Sequence, residues 1–326
     1  MARWRAWMCV RALGTASGMS GAGAKDVRSV SGRSDHPAAG QPGAAADSRA
    51  GEACPRIAVG EALRNHWFDI WYQPKIDLKR KCLAGAEALA RIRHPQHGLV
   101  PPGASLTDVD ENSVAELTQY ALAMALRDWS LFEDAGFNLQ LSLNVPAGVL
   151  RKLPVAKLVA EFRPKSQRWP GLIVELAEDQ IVRDPELAAA IARQLQVSGI
   201  KIAIDNFGAG HSSFSSLRQL PFVEMKLDCS LVAGCSADPI TAAICQTVID
   251  LAHRFGAAAV ADGVDSQADL QALIGMGCDF GQGGLIAPAM PKERFLELLH
   301  QRTSKPHGAS PREVMKSGAK PVGRVA

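Results

Sequence analysis

From Ile57 onward, short apolar β-rich runs alternate with longer amphipathic stretches, a pattern that predicts repeated βα units and a mostly parallel sheet. Eight runs read as strands: Asp69 to Leu78, Leu83 to Ile92, Leu139 to Val145, Leu172 to Leu176, Ile200 to Asn206, Val223 to Asp228, Ala257 to Asp262 and Asp279 to Ile286. Helical spacing fills the intervals. In Ser113 to Glu133 the residues Val114, Leu117, Tyr120, Ala121, Met124 and Trp129 recur near the helical period, and Pro185 to Val197 is a second such stretch. Only Lys79 to Cys82 separates the first two runs, too short for a crossover helix, so an antiparallel hairpin is expected there. Strands three to eight have helix-length connections, as right-handed parallel crossovers require.

The stretch from residue 13 to residue 55 is rich in Gly, Ala, Ser, Asp and Arg and has no recurring apolar face. It cannot bury enough surface to offset ordering entropy. The reading is therefore a disordered or mis-started segment over 1–55, a barrel domain over 56–302 and a flexible tail over 303–326. Arg3, Arg5 and Arg11 break the N-terminal stretch that a signal peptide would need. No window approaches the ~20 apolar residues of a membrane span, so no membrane partner is expected.

Composition narrows the class. A chain of 326 residues with 47% hydrophobic and 21% charged residues buries one large core, within the range of a single α/β barrel. The net charge of +3 comes from basic residues spread along the chain, so no DNA or RNA polymer is expected as partner. The 7 cysteines include no C-x-x-C pair and fit neither a disulfide framework nor a zinc knuckle. They read as small buried hydrophobes in a reducing cytoplasm.

In α/β barrels the reactive side chains sit at the carboxyl ends of strands. Strand two offers Glu87, strand three Asn144 in LSLNVP, and strand four Glu175 and Glu178 in VELAED. Strand five offers Asp205 and Asn206 in AIDNFGAG, strand six Lys226 in EMKLD, strand seven Asp262 and Asp265 in VADGVD, and strand eight Gln282 in FGQGG. Oxygen ligands of this kind suit Mg2+ or Mn2+, whereas zinc would want His or Cys. Each carboxylate alone reads as well as a capping or loop residue. Seven successive strands ending this way, with a lysine among them, point to a metal site. His94 and His97, in HPQHG, read as loop-structural, because neither is placed at a strand's carboxyl end. An enolase-like barrel acting on a small carboxylate is permitted by the same pattern.

The ordered segments YQPKIDL, GAEALAR, LSLNVP, VELAE, IDNFGAGHSS, MKLD, VADGVD and GQGG resemble the EAL family over Asn65 to Arg302. The resemblance implies a modified TIM-type (βα)8 barrel with an antiparallel first strand, which opens cyclic di-GMP to linear pGpG using two metal ions. Glu87, Asn144, Glu175 and Asp205 would then hold the first Mg2+ or Mn2+, with Asp205 bridging to a second. Asn206, Asp262 and Gln282 match positions around the second metal and the substrate. Lys226 matches the lysine that orients the attacking water, and Lys226, Asp262 and Glu87 form the expected catalytic set. Arg91 matches an arginine suited to a substrate phosphate. With Gln282, Glu178 and Asp265 it completes the expected substrate contacts. Gly208 and Gly210 would let the loop after strand five move. A homodimer through barrel helices is compatible with the family.

The sequence departs from that family at several positions, two of them on the second-metal side. Asn206 stands where a second aspartate is usual, and Asp262 replaces the glutamate of E-G-V-E. Ala177 replaces a frequent Thr, His211 a frequent Tyr, and Ser105 a bulky apolar residue. Asparagine removes one negative charge from a cation site, and aspartate is one methylene short. The expectation is a slow or metal-demanding phosphodiesterase. The alternative is a catalytically inactive EAL domain acting as a cyclic di-GMP sensor or protein-interaction module.

Overall fold

Alternating exposure along Phe68–Asp77 makes the first barrel strand, β1, with one face toward the barrel lumen and the other toward the helices. The computed structural model describes residues 55–100, 106–107, 109–209 and 217–303. The readings made for the N-terminal segment through residue 54, for the tail beyond 303, and for Ser105, Gly210 and His211 lie outside these residues.

A tight turn with Lys81 at φ 55° returns the chain into β2, Cys82–His94, which pairs antiparallel with β1. Parallel pairing then runs through β3 (Gln140–Asn144), β4 (Leu172–Ala177), β5 (Ile200–Phe207), β6 (Glu224–Leu227), β7 (Ala258–Asp262) and β8 (Phe280–Gln282). β8 closes on β1 antiparallel, with Phe280 opposite Asp77. The sheet is thus a closed eight-stranded barrel of modified TIM type, with the antiparallel first strand that the short hairpin implied.

Two strand readings need correction. β8 stops at Gln282 because the backbone after it packs against the loop following β7. A Cβ on Gly283 would lie 2.3 Å from Val264 N and O, and Leu285 N donates to Val264 O. Glu87 is not at the end of its strand: β2 continues to His94 and pairs there with Gly98–Val100. His94 does end that strand, but its Nδ1 accepts from the Gln96 and His97 amides, which makes it a turn brace.

The outer layer is set by apolar stripes. Helix α1, Glu111–Asp134, lays Leu122, Leu126, Trp129 and Phe132 on the barrel, with Asp110 capping its first turn by accepting from Ser113 N. α2 (Val155–Phe162), α3 (Pro185–Val197), α4 (Pro239–Arg254), α5 (Gln267–Gly275) and α6 (Lys292–Thr303) follow. Among the described residues no helix is long and apolar enough to cross a membrane. The five described cysteines are free thiols, and Cys235, Cys245 and Cys278 are buried.

Tyr72, fully buried between Phe132 and Phe295, donates to Asp128 at 2.7 Å, and Lys292 donates to the other oxygen of Asp128 at 3.0 Å. This joins β1, α1 and α6. Replacing Tyr72 by Phe removes a hydrogen bond to a charged acceptor and is expected to lower stability by ~1.5–3 kcal/mol, read as a lower urea midpoint with unchanged slope. An unchanged midpoint would show that the bond contributes nothing net.

Candidate active site

Side chains alternate along a strand, so Tyr72 on the helix side places Trp71, Gln73 and Lys75 on the lumen side of β1. Opposite Gln73 in register is Glu87. Its carboxylate is held from three directions: Asn144 Nδ2 donates to Oε1 at 2.7 Å, Gln282 Nε2 to Oε2 at 2.6 Å, and Lys226 Nζ to Oε2 at 3.0 Å. Four strands, β2, β3, β6 and β8, thereby meet at one carboxyl group.

Lys226 is the hub. Besides Glu87, its ammonium lies 2.5 Å from Glu175 Oε2, 3.2 Å from Asp205 Oδ1 and 3.8 Å from Asp262 Oδ2, with 2% of its side chain exposed. Burial alone would pull a lysine pKa down, but Asp205, Glu175 and Glu87 outweigh it and hold the ammonium well above its ordinary value. Glu175 goes the other way from a normal acid. Burial, with Glu87 beside it, raises its pKa to about 8 despite Lys226.

Four carboxylates around one ammonium leave excess negative charge, and Asp205 Oδ1 is buried while accepting no hydrogen bond. The donors are all oxygens. This chemistry fits a hard divalent cation at Glu87, Asn144, Glu175 and Asp205. Among the described residues no group of three or more His, Cys, Asp or Glu side chains is arranged to hold a metal ion, and the Lys226 ammonium stands among the acids.

The remaining expected residues divide. Asn206 sits in a bulge of β5, at φ 56°, a left-handed conformation that Asn and Asp tolerate better than most. Its amide donates to Asp205 Oδ2 at 2.9 Å. Glu178 is buried, and its Oε2 accepts from Gly208 N, tying the loop after β5. Asp265 is exposed, and its carboxylate accepts from Gly284 N at 2.7 Å, bracing the loop after β8 rather than joining the cluster at Lys226. Arg91 is 8% exposed and lies over the Trp71 ring, and burial lowers its pKa to about 10.

Beneath this cluster lies a layer that the strand-end pattern does not mark. Lys75 Nζ bonds both oxygens of Glu224 at 2.7 and 2.6 Å, a buried ion pair across the lumen. The signal was available: Glu224 precedes Lys226 by two, so both point inward.

The raised pKa of Glu175 gives a pH prediction for the metal-free protein. A carboxyl group that titrates near 4.5 when unfolded and about 8 when folded keeps its full contribution below pH 4.5 and loses it as pH rises through 8. Glu175→Gln is therefore expected to flatten the decline in chelator-treated protein between those limits. Parallel wild-type and variant curves of urea midpoint against pH would contradict it.

A family model described as the EAL domain matches residues 57–289. The chain belongs to the EAL domain family. The cyclic di-GMP phosphodiesterase RocR of Pseudomonas aeruginosa is 31% identical over 246 residues, covering 74% of this chain and 63% of RocR. The cyclic di-GMP phosphodiesterase PdeL of Escherichia coli is 30% identical over 245 residues, covering 73% of this chain and 67% of PdeL. Several relatives are much longer, and the chain spans only 35% of the bifunctional MucR of Pseudomonas aeruginosa. Among solved structures, the MucR phosphodiesterase in its c-di-GMP complex superposes with a TM-score of 0.66 at 30% identity, covering 73% of this chain and 97% of that one.

This EAL domain thus has an oxygen-rich lumen cluster, and Asn206 and Asp262, two of the expected departures from the family pattern, lie beside Asp205 and Lys226. Asn206 satisfies Asp205 with an amide, and the shorter Asp262 stands 3.8 Å from the ammonium.

Proposed function

We propose that this EAL domain hydrolyses cyclic di-GMP to linear pGpG, at a rate limited by Asn206 and Asp262. The observation that carries the reading is the convergence of Glu87, Glu175, Asp205 and Asp262 on Lys226 inside the barrel, with Asn144 and Gln282 fixing Glu87. Glu87, Asn144, Glu175 and Asp205 would hold one Mg2+ or Mn2+, and Asp205, Asn206 and Asp262 a second. The chemistry supplied by bound divalent cations is polarisation of the phosphoryl oxygen and acidification of water.

The protein's own groups position and balance charge. Lys226 stands among the acids and would orient the attacking water and offset charge that develops on the phosphate. Arg91 presents a guanidinium, which suits a phosphate's paired oxygens. Gln282 and Asn144 lock the Glu87 rotamer, so that its carboxylate loses little freedom on binding. Glu87→Ala removes the group on which four strands meet and is expected to lower pGpG formation by at least about a hundredfold. A variant that keeps the wild-type rate would sink the assignment.

A second reading is favoured by one contact. The Asn206 amide already satisfies Asp205 Oδ2 without a cation, as a domain that binds the dinucleotide without cleaving it would allow. Calorimetry with cyclic di-GMP separates the two. Binding without pGpG release supports a sensor, and release supports the enzyme.

A further inference from the structure

Arg91 is a buried guanidinium at the rim of the lumen, and its surroundings contain an unused opportunity. The β1–β2 register sets Asp69 directly opposite Arg91, the cross-strand pairing that would neutralise it. The pair does not form. Asp69 Oδ2 accepts instead from Arg93 at 2.8 Å and from Trp71 Nε1 at 3.2 Å. Arg91 donates to its neighbour's carbonyl, Ala90 O, at 2.9 Å, and its guanidinium carbon stands 5.8 Å from the Trp71 ring centroid. Among the described residues no carboxylate stands within ion-pair distance of it, and Glu87 favours its charge only from farther off.

Burying a guanidinium without a carboxylate is costly unless something anionic completes it. An indole face is the compromise: it favours the cation through its quadrupole yet uses none of the N–H donors. Trp71 itself is partly exposed, points to the lumen side by strand alternation, and is fixed in angle by Asp69. We infer that Trp71, braced by Asp69, is a positioning residue that holds the Arg91 guanidinium at the barrel mouth with its donors available to a phosphodiester of the ligand. This rests on reading the site as one that takes a cyclic dinucleotide. Asp69 then has two tasks, to fix the indole and to draw Arg93 away from the mouth. Arg93 is the exposed partner in that pair and would otherwise compete for the same phosphate.

The test is a double-mutant cycle on the full chain, with cyclic di-GMP binding measured by calorimetry in chelator to suppress turnover. Trp71→Leu is expected to weaken binding between about threefold and thirtyfold, the range of a partly desolvated cation–π contact. Trp71→Phe, which keeps an aromatic face, stays nearer the wild type. The pair Trp71→Leu with Arg91→Ala binds no more weakly than Arg91→Ala alone, since Trp71 acts through Arg91. Additive losses, or wild-type affinity in Trp71→Leu, would overturn the inference. A second readout needs no ligand: the Arg91 Nε–H resonance, assigned by its loss in Arg91→Lys, is expected to be shifted by the indole ring current and to lose that shift in Trp71→Phe and Trp71→Leu to increasing degree. If the wild type binds no cyclic di-GMP either in chelator or with Ca2+ supplied in place of Mg2+ or Mn2+, the dinucleotide reading falls. The positioning of Arg91 is then judged by that resonance alone, and an unchanged shift in Trp71→Leu rejects it.

Discussion

Replacing Lys226 by Met is expected to abolish turnover and to lower the stability of the metal-free protein by ~3–5 kcal/mol near neutral pH, the usual range when one partner of a buried ion cluster is removed. The variant keeps volume and removes only charge and donors. Glu87, Glu175, Asp205 and Asp262 are then left in the lumen with no ammonium at 2.5 to 3.8 Å. Loss of the ammonium raises the Glu175 pKa further, because Lys226 is what opposes the raising by burial and by Glu87. Groups raised in this way weaken the fold as pH climbs, so the deficit against wild type grows from pH 5 to pH 8. Urea midpoints at both pH values, in chelator, measure it. Added Mn2+ is expected to recover part of the loss, since a cation at the same point does for the acids what the ammonium does. Equal midpoints for variant and wild type would mean that the cluster is not the electrostatic centre described here.

The second large effect is a gain. Restoring Asn206→Asp and Asp262→Glu together is expected to raise pGpG formation by about a hundredfold, the penalty associated with a misplacement of about 1 Å at a reacting centre. Asn206 is already in a left-handed bulge that aspartate tolerates, so the backbone need not change. The substitution turns a donor to Asp205 Oδ2 into a second acceptor, which weakens the metal-free fold and strengthens any cation site. The methylene added by Asp262→Glu lets the carboxylate at that position reach past the present 3.8 Å separation from Lys226. Rates measured across a Mn2+ titration should show both a higher plateau and saturation at lower Mn2+. A double variant as slow as its parent would place the lesion elsewhere.

Much of the barrel was legible because each strand is a short apolar run closed by a polar residue, and barrel architecture then fixes which end carries the chemistry. Pro185–Val197 matches its expected helix at both ends, since Asp184 caps it and Pro185 opens it. What failed was information that lives between strands. The expected run Leu83 to Ile92 already has Glu87 in its middle, and what it does not show is that β2 runs on to His94 and pairs with Gly98–Val100 beyond the barrel layer. Nothing local shortens β8, whose expected tail Leu285 and Ile286 is apolar but folds back through a close approach at Gly283.

The site was legible as a set of oxygens and not as an arrangement. Spacing names Lys226 and the acids, but only the closed barrel puts the ammonium at their centre. The partners of Glu178 and Asp265 are backbone amides of loops after other strands, Gly208 and Gly284, which no spacing rule reveals. Lys75 and Glu224 meet across the lumen from β1 and β6, 149 residues apart. Alternation shows that each points inward, and only the barrel shows that they touch.

The most direct test of the account is to incubate the full chain with cyclic di-GMP and Mn2+ and to resolve the nucleotides by chromatography, with Glu87→Ala alongside. The wild type is expected to accumulate pGpG slowly but steadily, and Glu87→Ala to form none. Cyclic di-GMP recovered unchanged, with no pGpG above a protein-free control, would contradict it.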